Sequence, residues 1–558
     1  MATANLGLNI ALTQTPIGGS SLVHLLAGGN IGGPSRRGLA NSCKMAGDVI
    51  VSENKADMSM RLQQLKKLNR WQGRPENEIP VQIDGVYNNN LYSGVGKTPF
   101  QPATQCTVTV AENITPRKQI IAVETVNKVC SKHGFHTQDD VCDIKAGNCS
   151  ATASMETNIG DEQRWAEKCF RKLKDEGMEV KYVTTDGDGK SFEAANQLYL
   201  SGVTKTAPIH QLDTRHLSAN HRKFIKGSSR VTAIMPGKTK AYRQYLQNRF
   251  ALDMSQRCHA ELQSIIKKSR HVQPKILEAT RDIMSTIKQC YAGNHSLCKI
   301  NSAVCKGRKN DNWLSNSIFL STSFQINVRI NESEKVLMEV IEYRLADNIV
   351  NLTRLNTNSQ KVEGTNRAIK RSLPKDKTFS RNFESRAHSA LHSVNNGPGN
   401  SLRKLCSAAG CPIPPGSNAD TQLVSFQSDS ENKKKREKSM AFKMKRRLRR
   451  QRLFDLYEKH REQKNYVKNQ LTRSLRKTRS ENQHVPHSRQ SGDNIDHEAY
   501  TRTPMKLRRR LPTTNNSPTA KDKDTGRLVP KAGPSGYTLA STRVDMMRLN
   551  GKMLFPNT

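Results

Sequence analysis

Ile79-Pro80-Val81-Gln82-Ile83-Asp84-Gly85 alternates apolar and polar side chains and runs into a carboxylate. A period of two is the mark of a strand with one face buried. Cys106-Thr107-Val108-Thr109-Val110 repeats the alternation, and residues 119–126, Gln-Ile-Ile-Ala-Val-Glu-Thr-Val, form a third β-rich run. Polar turns separate the three, which predicts a meander. Residues 155–176 place Met155, Ile159, Trp165, Cys169, Phe170 and Leu173 at helical spacing before Gly177, so an amphipathic helix is expected there. A second carboxylate-ended strand follows, Val180-Lys181-Tyr182-Val183-Thr184-Thr185-Asp186-Gly187. Then come a helix over 192–200 and a short strand over 208–213. The order βββ-α-β-α-β predicts an α/β fold, a mixed sheet flanked by helices.

Around this block the chain reads differently. Residues 1–75 form an N-terminal helical region interrupted by the turn cluster at 28–35, with Ser35 or Ser42 as the expected cap of the helix that follows. The core then spans 76–216. From 217 to 350 the apolar pattern is helical throughout, a large helical insertion. Residues 351–415 return to the core with two helices, one beginning near Glu363 and one over about 382–394. Past that point the core signal fades. Residues 418–558 are expected to be a largely disordered basic tail, of which 441–470 gains helix on an anionic surface.

The 558 residues carry 90 Lys and Arg against 49 Asp and Glu, a net charge of +41. An anionic partner is the default expectation, either nucleic acid or an acidic membrane surface. No run of about 18 apolar residues exists, so no membrane span is expected. Twelve cysteines scattered over this length do not make a disulfide scaffold, and a reducing intracellular compartment is expected.

Asp84 and Asp186 at strand ends, with Glu363 on a later helix, can converge on one point. Convergent carboxylates on a basic protein suggest a Mg²⁺ site that acts on phosphodiesters. The alternative is local, because Asp-Gly is a turn dipeptide. Asp188, two residues on, offers a second candidate beside Asp186. Asp213 and His216, three apart after a strand, suit a metal, a phosphate or each other. His295, Cys298 and Cys305, with Cys290 upstream, are candidate zinc ligands, though independent thiols fit the loose spacing equally. Lys443, Lys445, Arg446, Arg447, Arg449 and Arg450 form a basic run suited to phosphate contacts or nuclear import.

The strand order is also that of an RNase H-like core, and the quoted blocks together resemble the Mutator-like transposase domain of eukaryotic DNA transposons. The blocks fall in the family's order: Thr15-Pro16, Ile83-Asp84-Gly85-Val86-Tyr87-Asn88, Cys142 with Met155-Glu156, Asp186-Gly187-Asp188-Gly189, Asp213-Thr214-Arg215-His216, His295 with Cys298 and Cys305, Val362-Glu363-Gly364-Thr365-Asn366 and Asn395-Asn396-Gly397. The resemblance implies an RNase H-like fold whose Asp-Asp-Glu site is split by a helical insertion. Asp84 matches the first acid, Asp186 or Asp188 the second, and Glu363 the third. Asp213 and His216 match the motif just after the second acid. Two blocks depart from the family, with Gly189 where it has Ser and Val362-Glu363-Gly364-Thr365 where it has Asn-Glu-Ser-Leu.

The resemblance implies a nuclear DNA transposase that uses Mg²⁺ or Mn²⁺, binds transposon ends and target DNA, acts as a homo-oligomer and does not need a membrane. The alternative is a domesticated, non-catalytic nucleic-acid-binding protein derived from such an enzyme. A basic scaffold protein acting through its tail is a third class.

Overall fold

The computed structural model describes residues 3–88, 103–130, 134–135, 149–154, 156–187, 189–305, 319, 331–375, 377–453, 455–457, 459–460, 519–521 and 528–530. Of the residues singled out above, Asp188, Cys142 and Met155 lie outside the described residues, as does most of the tail. Met1–Arg446 form one compact unit and Arg447–Thr558 another.

Five strands make the sheet: β1 (Glu78–Asn88), β2 (Gln105–Glu112), β3 (Ile120–Asn127), β4 (Glu179–Thr185) and β5 (Ile209–Leu212), in the order β3-β2-β1-β4-β5. The meander β1-β2-β3 is antiparallel, while β4 and β5 add on in parallel. Parallel neighbours need crossovers. Helix α4 (Glu162–Asp175) connects β3 to β4, and α5 (Lys190–Leu200) connects β4 to β5. The two helices bury Trp165, Phe170, Leu173 and Leu198 against Ile79, Val81, Ile83 and Val183. Helix α4 begins later than its apolar spacing predicts. Asn158 and Gly160 make a turn, and Asp161 caps the helix by accepting from Arg164 N at 3.1 Å.

Three helices precede the sheet: α1 (Thr3–Thr13), α2 (Gly19–Gly28) and α3 (Arg36–Trp71), the last capped by Ser35. Met58 of α3 packs with Val86, Ile120 and Val123 of the sheet. The N-terminal region is therefore part of the same body as the core.

Between β5 and the return to the sheet lie α6 (Thr214–Gly227), α7 (Ser229–Ile234), α8 (Lys240–Lys268), α9 (Gln273–Tyr291), α10 (Ser296–Asn301), α11 (Asn331–Leu345) and α12 (Asp347–Thr353). They gather around their own core, with Phe250, Leu262, Ile283, Ile287, Leu337 and Ile341 buried together. These helices occupy the stretch read from the sequence as helical throughout. Helices α13 (Gln360–Ser372) and α14 (Phe383–Asn396) then bury Val362, Ile369, Phe383 and Leu391 in the cluster that holds Val86, Ala111 and Ile120 of the sheet.

The stretch expected to be disordered from 418 onward begins instead as a helix. After α15 (Pro398–Ala408), α16 (Asn418–Lys438) is capped by Ser417, buries Leu423 and pairs Asp420 with Arg403 at 2.9 Å. Gly399 of α15 has no room for a Cβ beside the Leu423 carbonyl, so the two helices meet backbone to backbone. One apolar anchor and one ion pair fix what the charge-rich composition hides. In the second unit Thr519–Lys521 pairs antiparallel with Leu528–Pro530.

Buried Glu179 fixes the start of β4. It accepts from Lys205 N at 3.0 Å and Thr206 N at 2.7 Å, and pairs with Lys174. Burial opposes its charge, but these donors outweigh it and hold the carboxyl down to about 2. A depressed folded-state pKa stabilises above the unfolded value near 4.5 and is lost as pH falls toward 2. Glu179→Gln is expected to lower Tm at pH 7, and the gap to wild type should close between about pH 4.5 and 2 in thermal melts.

Candidate active site

Asp84 lies within β1 rather than at its end. Pairing with β2 continues to Asn88, whereas pairing with β4 stops where Gln82 meets Thr184. Strand β4 ends at Thr185, and Asp186 is the next residue. The two strands part where the carboxylates stand. Asp84, Asp186, Thr185, Ser191 and Glu162 line the resulting cavity of about 120 Å³. Gly187 turns the chain toward α5 at φ 120°, a left-handed value that favours glycine.

Helix α13 brings the third acid. Gln82 Oε1 accepts from Lys361 N at 3.1 Å and Val362 N at 3.3 Å, so the sheet satisfies two otherwise orphaned N–H groups of the helix start. Asn366 Nδ2 donates to Asp84 Oδ2 at 2.8 Å, and Gly85 N donates to Asp84 Oδ1 at 2.8 Å. Glu363 sits one turn before Asn366, on the same side of the helix. His216 Nε2 lies 2.7 Å from Glu363 Oε1, Ser359 Oγ lies 3.3 Å from that oxygen, and Arg367 stands 3.7 Å from Oε2.

Burial pushes the Asp84 carboxyl up to about 6, and the negative charges of Asp186 and Glu363 push in the same direction. The three predicted acids therefore share one electrostatic environment. Burial works against a charge on His216, but its hydrogen bond to Glu363 and the charges of Asp213, Glu363 and Asp186 outweigh it and raise its pKa.

The ligand atoms of Asp213, His216 and Glu363 all lie within 4.8 Å of one another. Asp213 is nonetheless spoken for. Its Oδ1 accepts from Arg215 N at 2.6 Å and His216 N at 3.2 Å, capping α6, and its Oδ2 accepts from the Ser359 N and Oγ, each at 2.7 Å. Four donors fill a carboxylate. Burial disfavours its charge, yet these bonds hold its pKa below the usual range. Asp213 is thus a strut that joins the start of α6 to the start of α13. The sequence reading missed Ser359, Gln82 and Glu162. Glu162 follows the α4 cap and accepts from Tyr87 Oη at 3.0 Å. A carboxylate in the first turn of a helix is too common to single out without the cavity.

A second cluster lies in the insertion. Cys290 Sγ and Cys298 Sγ are each 3.4 Å from His295 Nδ1, Cys305 Sγ is 3.7 Å from it, and the Cys290 and Cys305 sulfurs are 3.6 Å apart. A tetrahedron with Zn–S near 2.3 Å and Zn–N near 2.0 Å has edges of about 3.8 and 3.5 Å. A disulfide would need about 2.05 Å. The four residues, gathered within 4.8 Å, could hold zinc. Arg257, fully buried, donates to Cys290 Sγ at 3.4 Å and to Glu261 at 3.2 Å, and Glu261 in turn accepts from Ala303 N at 2.9 Å. Such outer contacts orient ligands. The six predicted cations of the basic run, Lys443 to Arg450, are all exposed and helical.

A family model described as Mutator-like transposase matches residues 1–305, more than half of the 558-residue chain. Asp84, Asp186, Asp213, His216 and the cysteine–histidine cluster fall inside the match, and Glu363 lies beyond it. No curated protein and no solved structure gives a significant match.

Clustered carboxylates repel one another until a cation binds. In EDTA above pH 6, Asp84→Asn is therefore expected to melt above wild type. Mn²⁺ at about 100 times its Kd should stabilise wild type by about 2.7 kcal/mol and leave the variant unchanged. Differential scanning fluorimetry with and without Mn²⁺ reads both effects.

Proposed function

The match makes this chain a member of the Mutator-like transposase family, and we propose from that premise that it cuts and joins DNA at the Asp84, Asp186 and Glu363 carboxylates. The strand order β3-β2-β1-β4-β5 supports reading the sheet as RNase H-like. The observation that carries the assignment is the return of the Glu363 helix, from beyond the insertion, onto β1, where Asn366, one turn after Glu363, donates to Asp84 at 2.8 Å.

The donor set suits a hard divalent cation, since it offers carboxylate oxygens of which one is pressed toward protonation by burial and then by the neighbouring acids. Mg²⁺ or Mn²⁺ held by these acids would supply Lewis acidity to the scissile phosphate and ease deprotonation of water, then of the freed 3′-hydroxyl. The chain's own residues do the positioning. Asn366 holds one oxygen of Asp84. His216 holds Oε1 of Glu363, which leaves Oε2 toward Arg367. Asp213 keeps His216 in reach by capping its helix. Joining two element ends calls for two active sites, so the working form is an assembly of at least two chains. The basic runs past residue 430 suit nuclear import as well as DNA contact.

Cys290, His295, Cys298 and Cys305 hold a structural zinc in this reading. Four protein ligands would close the coordination sphere, as in a structural rather than a catalytic centre.

Glu363→Gln is expected to abolish Mn²⁺-dependent nicking and strand transfer on end-containing DNA while sparing DNA binding in EDTA. Strand transfer at the wild-type rate by this variant would remove Glu363 from the mechanism. His216→Ala should cost about 10- to 100-fold in activity, the usual effect of losing a partner of a metal ligand. Elemental analysis should find one zinc per wild-type chain and little in Cys298→Ser, whose melting should also fall.

A further inference from the structure

A cleft of the first unit is lined by Lys361 of α13, the helix that also carries Glu363, and nothing in the proposed chemistry uses it. Its volume is about 630 Å³. One wall is the β2–β3 turn with Arg117. The other is the last two turns of α16, with Lys434, Lys435 and Lys438, and Lys361 of α13 stands between them. Among the described residues none of these five cations is in an ion pair. Glu431, the one acid on the lining, is bonded to Gln427 at 2.7 Å. Lys361 is half-buried. Five cations against one acid on a concave lining make a surface that a polyanion would complement.

The floor is rigid. Asn395 bonds both the N–H and the C=O of Ile120 at 2.9 Å, which ties α14 to the start of β3. Gly397 at φ 88° turns the chain from α14 into α15. Gln427 packs against that turn, so the basic end of α16 is held beside it. The Asn395-Asn396-Gly397 block, which the acidic site leaves without a role, is the floor of this cleft.

We propose that the cleft binds the sugar–phosphate backbone of DNA running past the active site, with Arg117, Lys361, Lys434, Lys435 and Lys438 as its phosphate contacts. Lys361 lies two residues before Glu363 on α13, so DNA held here is anchored to the helix that carries the third acid. The inference rests on the transposase reading for its choice of polyanion. No base-reading contacts are required, and binding through the cleft is indifferent to sequence.

The test is fluorescence anisotropy with a labelled 30-bp duplex in EDTA across a salt series, on the full chain. Lys434→Glu/Lys435→Glu/Lys438→Glu is the main variant, since these exposed side chains hold no fold contact. Lys267→Glu/Lys268→Glu, exposed at the end of α8, is a control. Each lost phosphate contact lowers the slope of log K against log salt by about 0.9. The triple variant is expected to lose about 2.7 of slope and Arg117→Glu about 0.9, with the control near wild type. Equal losses in the triple variant and the control, or none in either, would overturn the proposal. Inositol hexakisphosphate as competitor separates the sources of phosphate. If it saturates the wild-type cleft while the triple variant keeps wild-type DNA binding, the cleft serves a small polyanion and the proposal fails. Because binding is read in EDTA, the cleft can stand while metal-dependent cleavage by wild type is absent, and the reverse outcome sinks only the cleft.

Discussion

Negative charge gathered where water is scarce is the constraint on which this structure turns. Asp84 is half-buried in the middle of a sheet, next to Asp186 and within reach of Glu363. Burial, and then the charges of Asp186 and Glu363, make Asp84 harder to ionise, so the apo arrangement costs free energy that contacts elsewhere must offset. The offset is visible in the struts. Asn366 and Gly85 donate to Asp84, while His216, Ser359 and Arg367 surround Glu363. None of these neutralises the whole group, which leaves a site whose natural complement is a cation.

The insertion sharpens the problem, because it separates Asp186 from Glu363 by a helical body with its own apolar core. A body of that size could swing the third acid away. Asp213 prevents this by accepting from Ser359 at the far end of the insertion, and Thr214 N donates to Thr357 O alongside at 3.4 Å. The neck of the insertion is thus closed by buried charge-assisted hydrogen bonds. From there Gln82 receives the start of α13 on the sheet. The acid site and the insertion are mechanically joined at two points, which gives the insertion a route to influence the site if it contacts DNA.

Much of this was legible in the chain. The alternation in Ile79–Asp84 and Cys106–Val110, and the helical spacing of Trp165, Cys169 and Leu173, report burial patterns that a sheet and its helices both demand. Glu363 was legible as a helical residue, and the cysteines with His295 as a cluster. What was hidden had no local signature. Asp84 sits mid-strand because β1 outruns β4 there, which depends on a partner strand almost a hundred residues away. Asp213 reads as open to a metal, a phosphate or His216, and the donors that reach it, from Arg215, His216 and Ser359, are visible only in the fold. Helix α16 hides inside a charge-rich composition because Leu423 and the Asp420–Arg403 pair are enough to dock it.

By itself, then, the sequence determined the periodicities, the strands and helices they build, the excess of positive charge and the inventory of chemically able side chains. These follow from local sterics and from which faces must leave water. Only the tertiary structure decided which of those side chains meet. Hydrogen bonds between residues far apart in the chain, such as Gln82 with Val362 and Asp213 with Ser359, set the positions of the acids. Such pairings are chosen by the packing of whole elements and leave no trace in the spacing of either partner.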